Sequence, residues 1–239
     1  IIYSDFKNSL QRYMEQNPEF STETIEKKKK LALDLIEIFT ALSKEEIILG
    51  SLHPDRLMID QDDNLILRDT FFHKTFKSES SSSIQSEKTF KTNKYKVADK
   101  RKDRDDKSNY YLLALLLYEL FYGEYIFAGV KDYMTIRHLH TNRKVNKKHA
   151  ASLKERWIKT DDSTNVRVDK VKIKTEDNNI PVELQKMLQQ FLHANKAKRP
   201  ADLDKLRQVI TDLKDKEIKV DISKPISQQE LIKFIAVQT

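Results

Sequence analysis

Cysteine is absent from the 239 residues, which excludes a disulfide framework, a thiolate metal site and a cysteine nucleophile. A reducing compartment, cytoplasmic or nuclear, is the expectation that fits. Only three glycines occur, Gly50, Gly123 and Gly129, so a glycine-rich loop that cradles phosphates is missing from this stretch. Long apolar runs are missing too. The longest, Tyr110 to Tyr122, is interrupted by Glu119 and is too short to cross a bilayer. The N-terminus has no basic region followed by a signal-like apolar stretch, and it begins at Ile1-Ile2-Tyr3 without methionine. A fragment or processed chain is therefore expected. His138 and His140 have no further ligand at a useful spacing, so no metal cluster is expected and both are read as surface residues.

Apolar residues make up 38% of the chain, enough to bury the core of one large domain. Charged residues make up 34% and leave a net charge of +7. That excess permits contact with phosphates, acidic proteins or anionic surfaces, but charges of both signs are spread along the whole chain.

Residues 5–16 carry Phe6, Leu10 and Tyr13 at helical spacing, ending at Asn17-Pro18. A longer helix is expected after a cap at Ser21 or Thr22, with Ile25, Leu31, Leu35, Ile38, Phe39 and Leu42 as its apolar stripe. The lysines from Lys27 to Lys30 read as its solvated first turns. Leu57-Met58-Ile59 and Leu65-Ile66-Leu67 flank the acidic string from Asp60 to Asn64, the pattern of two short strands joined by a tight turn. A polar, serine-rich loop around Ser78 to Ser83 follows, open to phosphorylation. The stretch from Asn109 to Gly123 is apolar nearly all round and predicts a buried central helix with Gly123 as its stop. Val166, Val168, Val171 and Ile173 alternate as an edge hairpin would. Pro181 is placed to open a helix through Leu192, and another amphipathic helix is expected from about Ala201 to Lys214.

A capped helix, a hairpin, a long polar loop, a fully buried helix and then Lys198-Arg199-Pro200 resemble, in order, the C-lobe of the protein kinase superfamily. The resemblance covers roughly residues 3–215. The family's His-Arg-Asp-Leu-Lys-Pro-x-Asn matches the string from Leu49 to Arg56, in which Leu52 and Pro54 keep the pattern. In the family the catalytic Asp stands about eighteen positions, and the metal-binding Asn about thirteen, before the Asp of Asp-Phe-Gly. Ser51 and Arg56 stand at those distances from Asp69, which is followed by Thr70-Phe71. Serine is a poor base near neutral pH, and a guanidinium offers only donors and repels a cation. His53 replaces the family's lysine and reads either as a phosphate contact when protonated or as an ordinary loop histidine.

The resemblance implies several further roles. Asp69 stands where the family holds magnesium; it reads either as a residual metal ligand or as a carboxylate that caps the loop or pairs with a base such as Arg56. Asp99 in Tyr95-Lys96-Val97-Ala98-Asp99 stands for the family's Glu, and Arg199 for its late buried Arg, which implies an Asp99–Arg199 ion pair of structural and not catalytic purpose. Lys107-Ser108-Asn109 matches Lys-Ser-Asp, with Asn109 in place of the Asp that anchors the catalytic loop, and Glu119 to Gly123 matches Glu-Leu-x-x-Gly. The segment 69–99 corresponds to an activation segment, 128–180 to an extended insertion and 216–239 to a C-terminal tail. Within the insertion Trp157, flanked by Arg156 and Lys159, either anchors a partner or packs the insertion onto the lobe.

The fold expected is mainly α with some β, a kinase-like C-lobe of helices around a buried central helix with a short hairpin at the catalytic-loop region, and no N-lobe in this chain. With the catalytic positions replaced, the resemblance implies a pseudokinase, not an enzyme. Its expected role is a protein-binding scaffold or an allosteric regulator of a partner enzyme or adjoining domain, the partner being an active kinase or other enzyme in the same complex or polypeptide. No cofactor is expected, and ATP with magnesium is the ligand to test. Two other readings stand beside it: an atypical kinase-like transferase or nucleotide switch that keeps Asp69 for one metal and recruits Asp55 as base, and a basic nucleic-acid-binding module. The last rests on the net charge alone.

Overall fold

The computed structural model describes residues 6–18, 22–68, 94–97, 99–128, 130, 136, 138–140, 144–146, 157–161, 165–171 and 180–213. It is mainly helical. The chain opens with a two-residue strand β1 (Asn8–Ser9) that runs into helix α1 (Leu10–Gln16), followed by the long helix α2 (Thr22–Lys44). A 3-10 turn at Pro54–Arg56 leads into β2 (Leu57–Ile59) and β3 (Leu65–Leu67). Helix α3 spans Asp106–Tyr122; β4 (Lys144–Asn146), β5 (Trp157–Asp161) and β6 (Asn165–Val171) follow. Helices α4 (Val182–Phe191) and α5 (Asp204–Thr211) close the described chain.

Helix α3 is the axis of the packing. Every residue from Ser108 to Phe121 is buried, so it has no solvent face. A helix apolar all round must be covered on every side, and here α2 and α4 both pack against it, while α5 touches α2 and α4. The buried stripe of α2, Leu31, Leu35, Ile36 and Phe39, and that of α4, Leu184, Leu188 and Phe191, recur at helical spacing. At the start of α3 the Asp105 N–H donates to Ser108 Oγ at 3.3 Å, half of the reciprocal cap that frees a helix start from unpaired donors. Its end is set by Gly123, whose φ of +69° is left-handed and whose N–H donates to the Glu119 carbonyl at 2.9 Å.

Asn8 and Ser9 correct the expectation of one helix over residues 5–16: they lie opposite Ile59 and Met58 as the outer strand of a three-stranded antiparallel sheet β1-β2-β3. The hairpin of the expectation is thus the inner two-thirds of a sheet. Ser9 then caps α1, accepting from the Arg12 N–H at 3.3 Å. The β2–β3 turn forms as its composition implies. Asp60 Oδ1 accepts the N–H groups of Asp62 and Asn64 at 2.9 and 2.8 Å. The Asn64 N–H is the largest influence holding that carboxyl below its usual range.

The lysines at the start of α2 are not a solvated face. Lys27 Nζ reaches Asp63 at 2.8 Å, Lys30 Nζ reaches Asn64 Oδ1 at 2.8 Å, and Lys29 Nζ donates to the Leu213 carbonyl at 3.1 Å. Lys28 is fully buried. The acidic turn lies alongside this helix, so Lys27 meets the Asp63 carboxylate and Lys30 meets the turn's amide and carbonyl oxygens. Asp34 joins them by accepting the Leu65 N–H at 3.0 Å.

Where an edge hairpin is expected, the chain forms a second three-stranded antiparallel sheet, in the order β4-β6-β5. Trp157 opens β5 opposite Val171. Ile173, the Ser78–Ser83 loop and the 216–239 tail lie outside the described residues. Among the described residues no helix is long and apolar enough to cross a membrane.

Gly123 carries two constraints at once: its left-handed φ, and a Cβ there would collide with the Pro18 carbonyl. Gly123→Ala should therefore lower stability by more than the ~1–2 kcal/mol of left-handed strain alone. Denaturant unfolding at a single temperature checks this, and an unchanged midpoint would contradict it.

Candidate functional site

The loop from Leu49 to Arg56 is held from two directions. From below, Asn109, fully buried on the first turn of α3, accepts the Leu49 N–H at 2.8 Å and donates from Nδ2 to the Ile47 carbonyl at 2.7 Å. An aspartate could accept but not donate here, so this asparagine ties down both a donor and an acceptor of the loop backbone. From the side, Ser51 bridges antiparallel to Lys96, with the Leu52 N–H donating to the Tyr95 carbonyl at 3.1 Å and the Val97 N–H to the Gly50 carbonyl at 3.2 Å.

The positions that the kinase resemblance singles out sit on this frame. Ser51 and Arg56 are exposed, and Arg56 closes the 3-10 turn, its N–H donating to the His53 carbonyl at 2.9 Å. His53 starts that turn by accepting the Asp55 N–H on Nδ1 at 3.2 Å, and its ring meets Tyr95 edge-on at 5.0 Å. Asp55, the substitute base of the second reading, is exposed and accepts from Ser9 Oγ at 3.4 Å. The Arg104 guanidinium crowds Gly50: a Cβ there would lie 2.7 Å from its Nη1. Asp69 and Arg156 fall outside the described residues, and Trp157 is placed only by its backbone in β5.

Asp99 and Arg199, a hundred positions apart, lie against each other. Arg199 Nη1 donates to Asp99 Oδ2 at 2.7 Å and Nη2 to Oδ1 at 3.2 Å, the two-point geometry that a planar guanidinium offers a carboxylate. The other three N–H groups go to the carbonyls of Lys107, His193 and Ala194. The guanidinium also rests 4.6 Å over the Tyr111 ring. With no exposure of the arginine side chain and 9% of the aspartate's, this is a buried pair whose donors are fully matched. Ser108 Oγ adds a bond to Asp99 Oδ2 at 2.7 Å. The pair thereby joins the end of the 94–99 segment, the start of α3 and the loop after α4.

A second polar cluster has no counterpart in the sequence reading. Tyr95 donates its hydroxyl to Glu119 Oε2 at 2.5 Å in the interior beside α3. His140, only 2% exposed, corrects the reading of a surface histidine. Its Nδ1 meets the Tyr111 hydroxyl at 2.6 Å and its Nε2 meets the Tyr125 hydroxyl at 2.8 Å. Tyr125 in turn donates to the Lys94 carbonyl at 2.7 Å, which leaves its oxygen to accept from Nε2–H and assigns Nδ1 as the acceptor of the Tyr111 proton. His138 is exposed. The signal in the sequence was the density of tyrosines around the apolar run, since a buried tyrosine hydroxyl needs a partner.

Burial raises the Glu119 carboxyl above its ordinary value of 4.5; the Tyr95 hydrogen bond and the Lys94 charge oppose that rise without cancelling it, and Glu15 adds to it. The Tyr95 hydroxyl is likewise pushed up, by burial first and by the Glu119 charge second. Comparison with known proteins yields no matching family model and no matching curated protein.

A carboxyl whose folded pKa is raised contributes stability that is present below the unfolded value and lost as pH rises through the folded one. Glu119→Gln should therefore be at its least favourable against the native protein below pH 4.5 and gain on it as pH rises. Unfolding free energies measured from pH 4 to pH 8 check the sign; an advantage that shrank with rising pH would contradict it.

Proposed function

We propose that this chain is a kinase-like C-lobe that works by binding and positioning a protein partner, without phosphoryl transfer of its own. One contrast carries the reading. The contacts that brace the lobe are made in full, at Asp99–Arg199 and at Asn109, while the loop they brace presents Ser51 where a base is needed and Arg56 where a metal ligand is needed. Phosphoryl transfer depends on positioning and charge neutralisation around the phosphates, and neither an alcohol nor a guanidinium replaces the lost carboxylate and amide. Function is then sought on the surface. An active enzyme in the same assembly is the partner class that a braced, chemically silent lobe suits.

The full polypeptide, incubated with ATP, magnesium and a generic protein acceptor, should incorporate no more phosphate than its Asp69→Ala variant. It should also show no magnesium-dependent thermal shift with ATP. Transfer that depends on Asp69 would overturn the proposal in favour of an atypical transferase. A magnesium-dependent shift lost in the variant would overturn the chemically silent reading in favour of a nucleotide switch.

A further inference from the structure

His140 is buried between α3 and the segment that carries Lys94. Both of its ring nitrogens are in use. Nδ1 takes the Tyr111 proton at 2.6 Å, and Nε2–H is shared between the Tyr125 oxygen at 2.8 Å and the Lys94 carbonyl at 3.2 Å. Because one nitrogen accepts and the other donates, this set of bonds fits the neutral imidazole and no other form. The Phe127 ring closes a third side, its centroid 4.8 Å from that of the imidazole. His140 is therefore fastened to the central helix, while the chain runs on directly from it into β4.

A second proton would go to Nδ1. There it meets the Tyr111 hydroxyl head-on, and that hydroxyl must turn its own proton away. The charge is unwelcome as well, since burial disfavours the charged form of a histidine. Among the described residues, the charged groups around the box do not offset it. Arg199 lies 4.6 Å over the Tyr111 ring, with Asp99 as its partner, and Lys94 lies 5.4 Å over the Tyr125 ring. Glu119 stands beyond Tyr95, whose ring is 5.9 Å from that of Tyr125. Burial holds the Glu119 carboxyl above its ordinary value, so it brings less negative charge to this region as pH falls. His138, on the same stretch of chain as His140, is exposed. The faces of both tyrosines are thus taken by cations, and the tyrosines turn only their hydroxyl ends to the imidazole, so no π-face of theirs stabilises an imidazolium.

We propose that His140 is an acid-operated latch: the neutral ring fastens residues 138–140 to α3 and to Lys94, and the protonated ring leaves its box and releases that stretch together with the chain running into β4. Opening is linked to proton uptake. The open form takes up a proton near the ordinary imidazole value of about 6.5 and the closed form does not, so each pH unit below that value favours opening about tenfold. The latch needs only the hydrogen bonds, burial and charges above, and it stands whether or not the chain is kinase-like.

The test is native-state amide hydrogen exchange of the full chain at pH 7.5 and pH 5.0, with the intrinsic pH dependence of exchange divided out. Protection of the Leu139 and His140 amides should fall about ten- to thirtyfold at pH 5.0 relative to that of Leu116 on α3, the span set by proton uptake near pH 6.5. His140→Gln keeps one acceptor and one donor but has no group that titrates in this range, so its protection there should change by less than about twofold. Glu119→Gln should fall as the native protein does. Nitrogen NMR of the native ring needs no variant: His140 should remain the Nε2–H tautomer at pH values where the exposed His138 is already charged. Leu139 protection that does not fall with pH, a fall that His140→Gln shares, or a His140 ring that charges along with His138 would overturn the proposal.

Discussion

The Arg199 guanidinium is the group on which the described architecture turns. It is a charge with no access to solvent, and a charge in that position is tolerated only if it is paired and its donors are matched. All its N–H groups find oxygen: two on Asp99 and three on backbone carbonyls from two further parts of the chain. Because those five acceptors come from segments far apart in sequence, satisfying one side chain fixes where the 94–99 segment, the first turn of α3 and the loop after α4 stand relative to one another. Asn109, one residue beyond Ser108, then transmits that placement to the loop at Ile47–Leu49. The segment carrying Ser51 is thus positioned by polar contacts rooted in the helix start.

On the proposed reading, those contacts hold shape and make no chemistry. The loop they hold exposes an alcohol at Ser51 and a guanidinium at Arg56. On the proposed reading, the scaffold is kept because its surface is used. The polar interior also differs in character from the apolar packing of α2, α3, α4 and α5. It sets direction and register, whereas the leucines supply the bulk of the burial, at roughly 1.5–3 kcal/mol for each large side chain removed from water.

Much of the fold was legible in the sequence because its strongest signals are local. The all-apolar run before Gly123, the acidic turn between two apolar triplets and the stripe of α2 each specify an element with few alternatives. What was hidden depended on tertiary placement. Nothing local marks Asn8 and Ser9 as a strand, because a two-residue strand exists only through the edge of β2. The lysines of α2 look solvated until the acidic hairpin is laid beside them. His140 looks like a surface residue until Tyr111 and Tyr125 close on its two nitrogens. The pairing of Asp99 with Arg199 was reachable only through the kinase resemblance, since a separation of a hundred residues leaves no periodic trace.

The most direct measurement is a double-mutant cycle on Asp99→Ala and Arg199→Ala, read by equilibrium denaturant unfolding. Removing either partner should cost about 3–5 kcal/mol, because the other is left as an uncompensated buried charge. The double variant should cost clearly less than the sum, with a coupling of about 2–3 kcal/mol, the upper part of the range for residues in direct contact. Single variants that cost under about 1 kcal/mol with no measurable coupling, the behaviour of an exposed ion pair, would contradict the claim that this pair organises the described fold.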